Sequence, residues 1–197
     1  MIKAIIFDCF GVLLTDVNRE RRNRVAETDP VAAQAIEEVF EVSNRGKITR
    51  EESAARMGEI LHVDPAEILA SSDTGEVRNQ ALIDFIKTLH SNYKVAMLSN
   101  VRGRASLDRR FNPGELDELF EVVVASGDIG IIKPEREIYQ ITAQKLGVDP
   151  KDCVMIDDIQ EYCDGAKAVG MTAIRFTNTE QCIADLNALI DRNVTND

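Results

Sequence analysis

The chemistry in this chain stands at the ends of four apolar runs. Asp8 closes Ala4-Ile5-Ile6-Phe7 and is followed at once by a turn through Gly11. Ser99-Asn100 closes Val95-Ala96-Met97-Leu98, and Lys133-Pro134 follows Gly130-Ile131-Ile132. Asp157-Asp158 closes Val154-Met155-Ile156. A carboxylate at the carboxyl end of a buried strand, with a glycine turn after it, is where open α/β sheets hold their ligands. These residues match the needs of phosphoryl transfer to a carboxylate. Asp8 would be the nucleophile. Ser99 and Asn100 would hold the phosphoryl oxygens, and Lys133 would offset the charge that builds as the nucleophile approaches. Asp8, Asp157 and Asp158 would share a divalent cation, and an all-oxygen set suits a hard ion, Mg²⁺ by default.

Residues so far apart in sequence meet only if their runs are parallel strands of one sheet. The pattern predicts strands over Ala4–Phe7, Lys94–Leu98, Leu119–Val124, Val154–Ile156 and Thr172–Phe176, with helices between them from Ala81 onward. Leu82, Ile83, Phe85, Ile86 and Leu89 form one helical stripe. Further helices are expected over Glu135–Leu146, stopped by Gly147, and over Cys163–Val169, stopped by Gly170. Strand alternating with helix implies right-handed crossovers and an α/β, Rossmann-like parallel sheet sandwiched by helices. From Asp16 to about Asn79 no strand pattern occurs. Ala32, Ile36, Val39 and Phe40 recur at helical spacing, Thr49 with Glu52 forms a capping box, and Asp64-Pro65 with Glu67 opens another helix. A stretch of roughly 65 residues is too long for a loop. It is therefore expected to be a small all-helical cap, residues 16–79, inserted after the first strand of a core made of 1–15 and 80–197.

The order and spacing of Asp8, Ser99-Asn100, Lys133 and Asp157-Asp158 resemble the haloacid dehalogenase-like hydrolase superfamily. Met97-Leu98-Ser99-Asn100, Gly130-Ile131-Ile132-Lys133-Pro134-Glu135 and Ile156-Asp157-Asp158 leading to Asp164-Gly165-Ala166 resemble its small phosphatases related to the N-terminal domain of epoxide hydrolases. The resemblance implies Asp8 as nucleophile and metal ligand, with Phe10 giving only its backbone carbonyl to the ion. It implies Ser99 on the transferring phosphoryl group with the Asn100 backbone beside it, Lys133 as charge neutraliser, and Asp158 on Mg²⁺. Asp157 would touch the ion directly or one layer out, and Glu161 would orient a metal-bound water. The implied activity is phosphomonoester hydrolysis of a small phosphorylated metabolite. Two positions depart from the pattern. Phe10 stands where such phosphatases carry an Asp that protonates the leaving group and later activates water, a contribution of about 10²–10⁴ in rate. Tyr162 stands where an Asn is common. An aromatic residue at position 10 also occurs in metal-independent 2-haloacid dehalogenases, which makes dehalogenation the rival activity. A catalytically impaired binding module on the same fold is the third reading. The adjacent Asp157 and Asp158 argue against a metal-free site, because unpaired neighbouring carboxylates repel unless a cation lies between them.

Composition narrows the partners. Lys and Arg total 23 against 34 Asp and Glu in 197 residues, a net charge of -11. Such a field repels nucleic acid and anionic membranes, so a phosphate ligand must be held by local cations or a metal. A hydrophobic content of 44% is enough for a core. Cys9, Cys153, Cys163 and Cys182 show neither a Cys-x-x-Cys pair nor zinc spacing with His62 or His90. Cys9 reads as a small buried filler and the two histidines as structural or surface residues. The first apolar run is broken by Asp8, so it is expected to be neither a signal peptide nor a membrane span. A reduced, cytoplasmic protein is the expectation. Arg19, Arg21, Arg22 and Arg24 read as a solvated helix face, with anionic substrate recognition as the alternative. One of Arg102, Arg104, Arg109 and Arg110 is the better placed for a substrate contact.

Overall fold

The computed structural model describes residues 1–71 and 74–194; residues 72, 73 and 195–197, which fall within the expected cap and core ranges, lie outside the described residues. Five parallel strands form one sheet: β1 Ala4–Phe7, β2 Lys94–Ser99, β3 Val122–Ala125, β4 Cys153–Asp157 and β5 Thr172–Arg175, in the order β3-β2-β1-β4-β5. Every residue of β1 is buried. A central strand of this kind must be apolar on both faces, and its alternation splits the interior into two cores. Ile5 and Phe7 face Leu82, Ile83 and Ile86 of α5 (Gln80–Leu89) and Leu186 of α11 (Thr179–Val194). Ala4 and Ile6 face Ile138, Tyr139 and Ala143 of α9 (Arg136–Leu146) and Ala166 of α10 (Gln160–Lys167).

The register sets the site. Phe7 lies opposite Met97 on one side and Ile156 on the other. One residue on, Asp8 is therefore level with Leu98 and Asp157, and Ser99 ends the neighbouring strand. The chain builds β2 and β3 on one side of β1 and then returns to build β4 and β5 on the other. The carboxyl end of β1 is thus the switch point where a crevice opens.

Several expected boundaries shift. The strand expected over Leu119–Val124 begins only at Val122, because Leu119 ends a helix, α7 (Glu115–Leu119). Leu116 and Leu119, three apart and both buried, form a helical face that runs into the strand's own apolar residues. α10 starts at Gln160 rather than Cys163 and ends at Lys167, with Cys163 and Ala166 as its buried side. β5 stops at Arg175, leaving Phe176 outside. α6 (Arg104–Asp108) and α8 (Ser126–Ile129) are single turns with no periodicity to read.

Between β1 and α5 lie α1 (Val17–Thr28), α2 (Pro30–Asn44), α3 (Arg50–Leu61) and α4 (Pro65–Ser71). Ile36 and Val39 are buried on α2, and Thr49 and Glu52 form the reciprocal capping box of α3. α1 buries no side chain at all. The two segments that lead out to these helices and back are bonded to each other. Thr15 N donates to the Val77 carbonyl at 3.0 Å, Asn79 N donates to the Leu13 carbonyl at 2.9 Å, and Leu14 bridges Arg78. Farther out, Ser126 Oγ donates to the Asn44 carbonyl at 2.6 Å and Arg45 pairs with Glu135. Among the described residues, no helix is long and apolar enough to cross a membrane.

Candidate active site

Asp8 extends the β1 ladder by one bond, its N–H donating to the Ile156 carbonyl at 2.9 Å, and its side chain is buried in the crevice. The chain then turns tightly, with Leu13 and Leu14 N–H both bonded to the Cys9 carbonyl. Gly11 holds φ at +91°, and a Cβ there would collide with the Asp158 carboxylate and the Arg19 guanidinium. Only glycine meets both demands.

Lys133 is 1% exposed, and its Nζ lies 2.8 Å from Asp8 Oδ1 and 2.6 Å from Asp157 Oδ2. Asn100 fixes it from behind. The Asn100 Oδ1 accepts from Lys133 N at 2.8 Å, and its Nδ2 donates to the Lys133 carbonyl at 3.0 Å. The Asn100 side chain thus braces the lysine main chain on both sides. The ammonium also lies 5.1 Å from the centre of the Tyr162 ring. Gly165 lets α10 close on this loop, since a Cβ there would sit 2.9 Å from both the Pro134 carbonyl and Tyr139 Oη.

One buried ammonium serving two buried carboxylates leaves negative charge over. Burial pushes the Asp8 carboxyl up to about 7, with Asp157 adding to the rise and Lys133 opposing it. Burial works against the Lys133 charge as well, but Asp157 and Asp8 outweigh it and raise the lysine. The third carboxylate, Asp158, pairs through Oδ2 with Arg19. Its Oδ1 is buried with no hydrogen-bond partner, and so is Ser99 Oγ. Asp8, Asp157 and Asp158 each bring a carboxylate oxygen within 4.8 Å of the others. Asp157 is the most committed of the three, since Oδ1 also accepts from Ile159 N at 2.9 Å. Three clustered carboxylates with one orphaned oxygen fit a hard divalent cation.

Phe10 has no proton to transfer, and an arginine rather than a carboxylate stands over its ring. The Arg110 guanidinium lies 5.1 Å from the ring centre while its Nε donates to Glu76 at 2.9 Å. Cys9 is fully buried, and burial together with the Asp8 charge holds its thiol well above the usual range, which disfavours the reactive thiolate. His62 is the left-handed C-terminal residue of α3, and His90 follows α5.

A cavity of about 420 Å³ joins Asp8, Ser99 and Lys133 to the inner sides of α1–α4. The solvated-face reading of the first arginine run fails here for three of its members. Arg19, Arg21 and Arg22 line the cavity, bonded to Asp158, the Ser71 carbonyl and Glu37. α1 lays its polar side over the site rather than packing on a core, so no apolar periodicity revealed its orientation. Arg24 is exposed. Of the second run, Arg102, Arg109 and Arg110 line the cavity, whereas Arg104 turns to Asp108 and Asp117. Exposed Glu161 lies on the cavity rim. The Arg19–Asp158 pair and the Glu76–Arg110–Phe10 stack were invisible in sequence, because they join residues brought together only by tertiary placement.

Residues 2–170 match the haloacid dehalogenase-like hydrolases, and the chain belongs to that family. A sesquiterpene phosphatase of Aspergillus oryzae is 26% identical over 95% of this chain and 96% of its own. A haloacid dehalogenase family enzyme of Bacteroides thetaiotaomicron, solved with magnesium and inorganic phosphate, superposes with a TM-score of 0.69 at 26% identity, over 90% of this chain and 95% of that one. The L-2-haloacid dehalogenase of Xanthobacter autotrophicus, solved with chloropropionic acid covalently bound, shares the fold at 19% identity and a TM-score of 0.65, over 95% of this chain and 83% of its own.

Proposed function

We propose that the protein is a Mg²⁺-dependent phosphatase that hydrolyses a small phosphomonoester through an aspartyl-phosphate on Asp8. The observation that carries this reading is Lys133 bonded between Asp8 and Asp157, beside the unpartnered Asp158 Oδ1 and Ser99 Oγ. The magnesium–phosphate complex of the Bacteroides relative and the phosphatase of Aspergillus support it. Asp8, Asp158 and the Phe10 carbonyl would hold the ion, with Asp157 bonded to it directly or one layer out; bound there, the ion offsets carboxylate and phosphoryl charge. Asp8 attacks phosphorus, and the bond to the leaving oxygen breaks as the new P–O bond forms. Ser99 Oγ and the Asn100 N–H hold phosphoryl oxygens, and Lys133 holds charge that grows in the transition state. Water then cleaves the acyl phosphate, releasing phosphate and restoring Asp8. Residues 16–79 would act as the cap over a core of 1–15 and 80–197, with Glu161 at the rim to orient water.

Phe10 under Arg110 favours one rival, metal-independent attack of Asp8 on the carbon of a 2-haloacid. The clustered carboxylates of Asp8, Asp157 and Asp158 weigh against it. Phosphate release from p-nitrophenyl phosphate, with Mg²⁺ or with EDTA, separates the two. The phosphatase requires Mg²⁺-dependent turnover that Asp8→Asn abolishes. Chloride release from 2-chloropropionate in EDTA, with no phosphate release, would establish the dehalogenase; neither product would leave a binding module.

A further inference from the structure

We propose that the phosphomonoester taken by this site carries an apolar body, housed in the chamber under α1–α4, and a leaving oxygen acidic enough to depart unprotonated, such as a phenol. This deepens the phosphatase reading and rests on it. The cavity that begins at Asp8 and Ser99 continues between Val25 of α1, Ile36 and Phe40 of α2, Met57 and Leu61 of α3, and Ile68 of α4. Of these six, only Ile36 is fully buried, and the others remain half-open to solvent. Four helices that packed on one another alone would bury such side chains. Here they face a shared space of about 420 Å³, within the range of small-molecule pockets, roughly 300–1,000 Å³.

The polar groups of the chamber are distributed unevenly. Asp8, Ser99 and Lys133 gather at the sheet end. In the helical part Arg21 is bonded to the Ser71 carbonyl, Arg22 to Glu37 and Arg50 to the Leu69 carbonyl. A sugar body would leave unbonded every hydroxyl that faces the six apolar side chains, which is costly. An alkyl or aryl body would leave unbonded only Ser53 Oγ on α3, which is buried at the cavity wall without a partner already. The leaving oxygen must sit between the phosphoryl end and this chamber, in the same cavity that Phe10 lines. Of the cavity carboxylates, Asp8 is engaged by Lys133, Asp16 by the Arg19 amide and guanidinium, and Glu37 by Arg22, while Glu161 stands exposed at the rim. The bond to phosphorus therefore breaks onto an oxygen that keeps the electron pair as the anion and takes its proton later from water.

Two series test this on the full-length protein with Mg²⁺. Alkylphosphonates, which cannot be hydrolysed, are titrated calorimetrically from methyl to hexyl. Each methylene entering the chamber should lower Kd about fourfold, on the order of a thousandfold across the series. Phe40→Ala with Met57→Ala should flatten that slope. In the second series, 4-alkylphenyl phosphates hold the leaving group constant, and kcat/KM should climb with chain length in the same way. A Kd that stays level from methyl to hexyl, or glucose 6-phosphate competing as well as hexylphosphonate, overturns the proposal while leaving the phosphatase reading standing. A steep phosphonate series with no turnover of any phenyl phosphate supports the chamber and sinks the phosphatase reading instead.

Discussion

At Lys133 three buried charges share one small volume, and the arithmetic of that sharing governs how the site should respond to substitution. Lys133→Met strips the ammonium from Asp8 and Asp157 and leaves buried carboxylates uncompensated. Without Mg²⁺ this should cost about 3–5 kcal/mol of unfolding free energy, measured by urea denaturation at pH 8, and added Mg²⁺ should restore part of it. Ser99→Ala should behave in the opposite manner. Ser99 Oγ has no protein partner to lose, so the melting temperature should hold. If Ser99 holds the phosphoryl group as proposed, losing that donor should still lower kcat/KM by about 10²–10³. A drop in stability equal to the drop in activity would mean the hydroxyl is structural. Asp8, Ser99, Lys133, Asp157 and Asp158 were legible in sequence because each sits where an apolar run stops, and strand ends converge by topology alone. Arg19 and Arg110 were not, because a polar residue on a helix carries no signal of which neighbour it will meet.

Among the elements, the sheet was the easiest to read and the short helices the hardest. β1, β2 and β4 are buried on both faces, so unbroken apolar runs marked them; α6 and α8 are too short to show any period. α3 was signalled by its capping box rather than its stripe, and that box makes a clean test. Thr49 N donates to Glu52 Oε2 at 2.7 Å and Glu52 N donates to Thr49 Oγ1 at 3.1 Å. Thr49→Ala removes the second bond and should cost about 1 kcal/mol. Because α3 walls the chamber rather than the phosphoryl end, KM for long-tailed substrates should rise while turnover of phenyl phosphate changes little. Hydrogen exchange of the α3 amides would show whether the loss stays within the helix.

Across the whole molecule, proton and metal binding should be coupled. Burial outweighs Lys133 and raises the Asp8 carboxyl to about 7, so as pH falls a growing share of Asp8 must release a proton before it can serve a cation. Mg²⁺ affinity should fall by up to tenfold for each pH unit below about 7 and level off above it. Calorimetry in two buffers of different ionisation heat should count close to one proton released per ion at pH 6 and almost none at pH 8.5. Affinity unchanged from pH 5.5 to 8 would place Asp8 outside the metal site. The chain's excursion between β1 and α5 bears on the molecule at its largest scale. It departs and returns through segments already tied together at Leu13, Leu14, Thr15, Val77, Arg78 and Asn79. The ends of the roughly 60-residue excursion are pinned by the core's own bonds, and doubling such a loop adds only about 0.6 kcal/mol of closure entropy. Between those pinned ends the excursion can lengthen or shorten with little penalty to the sheet beneath it, provided that the bonds of Arg19 to Asp158, of Asn44 to Ser126 and of Arg45 to Glu135 are kept. Evolution can therefore retune what enters the chamber while the strand ends, and the reaction they hold, stay as they are.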